Sequence, residues 1–192
     1  MKFELEVIED VSELTVVSDS TGFKMTDAGS WINYLYGKNK NYLKAHAAID
    51  AKTGKLIGIV VTGRDAHDSE MGVFLVEGVA FKVLIADGAY DTRDMFNLVA
   101  KKNAIPIIKI RKNASTRSLG SPLRARSVRE VKKIGQGMWK EKYEYGRRWR
   151  IESYFSAVKR SFGEGTTAKR FDMAQKEVMM KFLLYDQLQQ LV

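Results

Sequence analysis

Three acidic residues occupy positions where a carboxylate is costly to keep and useful to have. Asp19 follows the β-branched run Leu14 to Ser18, and Asp87 follows the apolar run Phe81 to Ala86. Each run reads as a buried strand delivering a carboxylate at its end, where an isolated charge is expensive to desolvate. Such positions point to a metal or a catalytic cleft, and the alternative is a pair of ordinary strand-end caps. Glu152 is singled out by helix geometry. Tyr145, Arg148, Glu152 and Lys159 fall at about 0°, 300°, 340° and 320° around a helix turning roughly 100° per residue, which is one stripe. The apolar Ile151, Phe155, Val158 and Phe162 lie beside it, so Glu152 is expected at the seam between helix and sheet. The alternative here is a solvated ladder, since Arg148 and Glu152 have i,i+4 spacing.

Other chemistries are excluded by residue type. There is no cysteine and there are two histidines, His46 and His67, so a structural zinc site and a His-Glu-x-x-His metalloprotease helix have no ligands. No G-x-x-x-x-G-K-[ST] loop is present, which removes a nucleotide cofactor. No apolar run approaches the roughly 18 residues of a membrane span, and Met1 to Val11 is acidic, unlike a secretory leader.

The elements that must position these acids follow from periodicity. After Leu14 to Ser18, the runs Tyr42 to Asp50 and Lys55 to Thr62 are strand-like and joined by a short turn ending in Gly54, a hairpin signal. Asp68 to Val79 is helix-compatible. Phe81 to Ala86, Thr92 to Lys102 and Ile105 to Ile110 read as strand, helix and strand, a crossover that makes the two strands parallel neighbours. Arg111 to Ser127 is basic and aperiodic and reads as a mobile loop. Helices are expected near Ser127 to Tyr143, Arg147 to Phe162 and Met173 to Leu191, the last capped by Asp172. The result is one α/β domain over residues 1–192, with a five-stranded mixed sheet flanked by helices. Its element order matches the ribonuclease H-like fold, and residues 111–145 form a basic insertion before the Glu152 helix.

Charge is divided along the chain. Residues 1–100 hold 10 Lys+Arg and 15 Asp+Glu, and residues 101–192 hold 22 and 8, so the halves carry −5 and +14 of the net +9. An acidic half followed by a basic one suits a metal-holding or catalytic site beside a polyanion surface, most often for nucleic acid. Arg111 to Lys133 carries eight cations against the single acid Glu130. This stretch, including Arg124 and Arg126, and the Arg147-Arg148-Trp149-Arg150 cluster are expected to form a DNA track leading to the acids.

The ordered set Val16-Val17-Ser18-Asp19-Ser20-Thr21, Ile85-Ala86-Asp87-Gly88-Ala89-Tyr90-Asp91 and Tyr145-x2-Arg148-x3-Glu152-x6-Lys159 resembles the catalytic domain of DDE-type insertion-sequence transposases of bacteria and archaea. The resemblance runs from about Leu14 to Leu184 and takes in His46 and His67-Asp68. It implies that Asp19, Asp87 and Glu152 hold two Mg2+ ions, with Mn2+ as a substitute, for cleavage of double-stranded DNA at transposon ends and strand transfer of the 3′-hydroxyl. It implies DNA contacts by Tyr145, Arg148 and Lys159, a prokaryotic cytoplasmic, nucleoid-associated setting, and a homodimer as a further expectation. Only 18 residues precede Asp19, too few for the DNA-end recognition region that the family places there, which leaves an inactive or repurposed DNA-binding remnant as an alternative. Another ribonuclease H-like nuclease, such as a resolvase, is the second alternative.

Five further readings concern single residues or pairs. Asp91 is expected to cap a helix start more than to bind metal. His46 is expected as a core or cross-strand histidine, and His67-Asp68 either abuts the cleft or caps a helix. Trp149 lies off the apolar face and is expected to pack on the next helix, with DNA contact as the alternative, while Met179-Met180 is expected in the core.

Overall fold

The computed structural model describes residues 3–4, 14–25 and 42–191. The sequence reading of the amino-terminal stretch rests on residues 1–13, of which only 3–4 are among those described. Among the described residues seven strands form one sheet: β1 (Phe3–Glu4), β2 (Thr15–Met25), β3 (Tyr42–Asp50), β4 (Leu56–Gly63), β5 (Val83–Ala86), β6 (Ile105–Ile108) and β7 (Gly165–Thr166). Their order is β1-β4-β3-β2-β5-β6, with β7 pairing separately on β2. The five expected strands are β2 to β6, and β1 and β7 are two-residue additions. Pairing is antiparallel from β1 to β2 and parallel from β2 through β6, so the sheet changes sense at β2. Six helices are described: α1 (Asp68–Val76), α2 (Arg93–Lys101), α3 (Pro122–Ile134), α4 (Gln136–Lys142), α5 (Trp149–Phe162) and α6 (Phe171–Gln190).

Helices cover both faces, which is why the central strands read as nearly continuous apolar runs. On one face Val16, Ala48, Leu84, Ala86 and Ile108 pack against Leu75 and Val76 of α1 and Met95, Phe96 and Val99 of α2. On the other, Val17, Ala45, Ala47 and Ile85 meet Ile151, Phe155 and Val158 of α5 and Val178 and Phe182 of α6. Phe182 packs edge-on against both Phe23 and Phe155, at 5.9 and 6.0 Å between centroids. The β3–β4 hairpin forms as expected, with Gly54 at φ 77°, a left-handed position that glycine takes without strain. The β5–α2–β6 crossover also forms in parallel register.

Several boundaries differ from the sequence reading. β2 does not stop at Ser18: Ser20-Thr21-Gly22 stays in the strand because β3 continues to pair with it through Lys24. α1 ends at Val76, and α6 begins at Phe171 with Arg170, not Asp172, at its N-cap. The stretch 127–143 is two helices broken at Gly135, whose φ of 83° ends the first. Met179 is buried as expected, but Met180 points outward.

The basic segment is more ordered than its composition suggested. Pro122 opens α3 at a position where its missing N–H costs nothing, and Ala125 and Val128 are buried at i,i+3 spacing. Arg124 anchors this helix. Its Nε and Nη2 donate to the two oxygens of Asp91, at 2.6 and 3.0 Å, and the backbone N–H of Arg111 donates to the same carboxylate at 3.0 Å. Asp91 therefore does not cap a helix, a role Thr92 takes through its hydroxyl. The Asp91 side chain is fully buried and that of Arg124 is 16% exposed. Removing one partner of a buried pair strands the other charge, so Arg124→Ala should cost about 3 kcal/mol or more in a urea unfolding titration. Arg126→Ala, two residues on and exposed, should change stability by less than about 0.5 kcal/mol.

Candidate active site

Register alone brings the two aspartates together. β2 and β5 are parallel, with Ser18 opposite Ala86, so Asp19 and Asp87 are the next residues on adjacent strands. Side chains alternate along a strand. Val17 and Ile85 belong to the α5 side of the sheet, so Asp19 and Asp87 project there too. The chain beyond Ala86 turns away immediately, because Asp87 Oδ1 accepts from the Ala89 N–H at 2.8 Å and starts a short 3-10 turn over Gly88–Tyr90. Arg111 clamps that turn by donating to the carbonyls of Gly88 (2.7 Å) and Ala89 (3.1 Å). The β5 ladder thus ends at Ala86, and β7 joins β2 only at Lys24, which leaves the stretch 19–23 with an open edge on that side.

The third acid reaches the site through an arginine. The stripe predicted on one helix is split, because Tyr145–Arg148 forms a 3-10 turn and α5 begins at Trp149. Arg148 is nevertheless four residues before Glu152, and its guanidinium donates through Nη1 to Asp19 Oδ2 and through Nη2 to Glu152 Oε1. Tyr145 is buried with its ring 5.6 Å from that of Trp139 and tilted 47° to it, and the Arg148 guanidinium carbon lies 6.0 Å from the Tyr145 ring centre. The aromatic pair therefore fixes the base of the arginine. Burial pushes the Tyr145 hydroxyl up to about 12. Glu152 itself is 53% exposed and lies on the rim more than in the expected seam.

Asp19, Ser20, Thr21, Glu152, Lys159 and Glu164 line an open cleft of ≈ 440 Å³ together with Phe155, Ser156 and Arg160. Ser156, Lys159 and Arg160 follow Glu152 at i+4, i+7 and i+8, a helical spacing that identifies them as neighbours once Glu152 is chosen. The Lys159 ammonium stands 5.4 Å from the centre of the Phe23 ring. Arg147 pairs with Glu144 at 3.5 Å, and Arg124 is engaged by Asp91. Trp149 does not pack on a helix as expected. It is 55% exposed, with the Arg150 guanidinium 5.8 Å from its ring.

His46 is a core histidine. Of the pair His67-Asp68, His67 stands at the N-cap of α1 without a side-chain cap bond, and Asp68 does not enter the cleft. It sits in the first turn of α1 on the opposite face of the sheet, 2.7 Å from the Lys44 ammonium.

Asp19, Asp87 and Glu152 offer only oxygen donors, which suits a hard divalent cation such as Mg2+. No group of three His, Asp or Glu side chains among the described residues closes into a ligand cluster as it stands. Asp19 and Glu152 instead share the Arg148 guanidinium, so the acids fit a hard cation by donor type, while Arg148 holds the place between two of them.

Electrostatics mark Asp19. Burial, with the neighbouring charges of Asp87 and Glu152, pushes its carboxyl up to about 6, against the lowering effects of the Ser20 N–H and Arg148. A carboxylate raised in the fold destabilises it when ionised, so this penalty is absent below about pH 4 and complete above about pH 6. Asp19→Asn should therefore raise the unfolding free energy without metal by about 1–3 kcal/mol at pH 7.5 and leave it unchanged at pH 4, measured by urea titration at both pH values.

No helix among the described residues is long and apolar enough to cross a membrane. Residues 12–186, which include Asp19, Asp87, Glu152 and Lys159, match the family of the transposase DDE domain. The open mixed sheet flanked by helices is the ribonuclease H-like architecture of that family, whose members act on DNA, and the chain belongs to it.

Proposed function

We propose that this domain cuts DNA phosphodiester bonds at transposon ends and joins the freed 3′-hydroxyl to target DNA, with Asp19, Asp87 and Glu152 as its acidic set. The observation that carries this reading is the shared guanidinium. Two acids 133 residues apart in sequence are gathered on one cation, beside a third acid fixed by strand register. Asp19, Asp87 and Glu152 would hold Mg2+ or Mn2+, which when bound polarises phosphate oxygens and makes an attacking oxygen more nucleophilic.

The chain's own residues supply the rest. Arg148 is placed to exchange carboxylate oxygens for the oxygens of a scissile phosphate, as a forked donor suited to that geometry. Tyr145 orients Arg148 from below. Lys159 and Arg160, on the cleft wall, add positive charge where the DNA backbone would lie. In the first reaction a water oxygen bonds to phosphorus, the P–O3′ bond breaks and the leaving 3′-oxygen gains the proton. In the second that 3′-hydroxyl oxygen bonds to a target phosphorus and gives up its proton, the target's P–O3′ bond breaks, and the leaving target 3′-oxygen takes up a proton. No external reductant, oxidant or nucleotide is needed.

The DNA track is assigned to the outer stripe of α3. Arg126, Arg129 and Lys133 recur at i, i+3 and i+7, and all three are exposed on a stripe beside the buried Ala125 and Val128. Arg124, expected in the same track, has its guanidinium on Asp91, so a variant there would mix folding with binding.

Mg2+-dependent nicking and end joining should be detectable on linear duplex carrying the element's ends, and Asp87→Asn should reduce both to background. Nicking without joining would favour a resolvase-like nuclease, and binding without cleavage a DNA-binding remnant. Arg126→Ala with Arg129→Ala should flatten the slope of log affinity against log salt by up to about 2, without moving the cut site. Arg148→Ala should lower cleavage far more than binding.

A further inference from the structure

The turn that leads into α3 holds an apolar side chain out in solvent. Leu119 is 61% exposed, in a loop whose residues 115–120 are all exposed. The Ser121 backbone N–H donates to the Ser118 carbonyl at 2.8 Å and closes a tight turn around Leu119 and Gly120. Both central residues have positive φ, 44° and 84°. Such a turn favours Asn-Gly or Gly-Gly, because a larger side chain at its first central position brings Cβ close to the following carbonyl oxygen. Leucine is therefore a costly residue there, and burial does not offset the cost.

The turn is tied down from α2. Arg93 Nη1 donates to the Leu119 carbonyl at 3.0 Å, and Asn97 Nδ2 donates to the Gly120 carbonyl at 3.1 Å. Ser121, the next residue, is fully buried. Backbone strain persists only where the surroundings over-determine it, and it gathers at places that bind something. Here the ties fix the backbone and leave the leucine side chain as the part on display.

Its place is the head of the α3 cation stripe. At about 100° per residue from Pro122, the residues Arg126, Arg129 and Lys133 fall at about 40°, 340° and 20°. The stripe therefore runs back to the exposed Pro122, the third residue after Leu119. From Pro122 to Lys133 the helix rises about 17 Å, the length of about five base-pair steps. Lys112 and Arg117 add exposed cations in the same loop.

We propose that Leu119 is an apolar wedge that enters the stacked bases of duplex DNA while the α3 stripe holds the phosphates beside it. This rests on the reading that the stripe follows DNA. A leucine inserted at a base step unstacks it and kinks the duplex, and the side chain is buried against base faces. Loss of that burial weakens binding by about 10-fold or more. The phosphate contacts, and with them the salt dependence, stay as they are.

The test is Leu119→Asn, which installs the residue this turn prefers and leaves every cation in place. On a duplex of about 30 base pairs labelled at both ends, energy transfer should report a kink with the wild-type chain and none with the variant. The variant should bind about 10-fold or more weakly at each salt concentration, with an unchanged slope of log affinity against log salt. Its melting temperature should stay level or rise, since Asn tolerates the left-handed region better than Leu. Wild-type affinity or an undiminished kink in Leu119→Asn overturns the wedge. A lowered melting temperature in that variant also overturns it, by assigning the leucine to the fold. Failure of the wild-type chain to bind the duplex at low salt overturns the DNA reading of the stripe itself, a result distinct from the others.

Discussion

Like charges held at the end of a sheet repel one another, and the architecture around the cleft can be read as the means of keeping them there. Asp19 and Asp87 are adjacent because two parallel strands share a register, and nothing in that register relieves their repulsion. Glu152 adds a third negative charge from a different layer. Arg148 offsets part of the cost by lying between Asp19 and Glu152, and its guanidinium stands over the ring of Tyr145, which packs on Trp139. The aromatic cluster under the 145–148 turn, the start of α5 and the position of the third acid therefore all depend on one guanidinium. Asp19 nevertheless remains raised to about 6, chiefly because it is buried, with the charges of Asp87 and Glu152 adding to the effect.

The second dependence is topological. β2 is the strand at which the sheet passes from antiparallel to parallel, so it has a hairpin partner on one side and a crossover partner on the other. Open α/β sheets place their crevices at the carboxyl ends of such strands, and the cleft lies there. The turn after Asp87 is held by Arg111, and the helix beyond it by Arg124 on Asp91. Two arginines of the basic segment thus act as internal ties, and the outward cations of α3 are left for other contacts.

The sequence shows most clearly what depends on local pattern. The hairpin at Gly54 and the β5–α2–β6 crossover follow from short-range spacing and from the rule that parallel neighbours need a crossover, whereas the adjacency of Asp19 and Asp87 depends on the long-range pairing of β2 with β5. The length of β2 was hidden because Ser20, Thr21 and Gly22 look like a turn, whereas pairing with β3, a long-range fact, keeps them extended. The same kind of fact governs Arg124. Beside seven other cations it reads as part of a solvated track, and only the fold reveals a buried Asp91 waiting 33 residues upstream. Asp68 and His46 were both visible as residue types, but the fold puts the sheet between them and the cleft, which spacing alone does not show. Trp149 was misplaced because the helix wheel began too early. With Tyr145–Arg148 in a tighter turn, Trp149 opens the helix at its exposed end.

The uneven pairing of β2 has a consequence for how the strand breathes. Residues 15–18 have strands bonded on both edges, whereas residues 19–23 have β3 on one edge and the cleft on the other. Amides of the first part can exchange with solvent deuterium only when the sheet opens as a whole, while those of the second that face the cleft are protected by little more than side chains, as the Ser20 N–H is by Asp19. A single strand therefore carries a slow and a fast exchanging half. The junction between them falls at Asp19, so occupancy of the cleft would be written into the deuterium uptake of its own backbone.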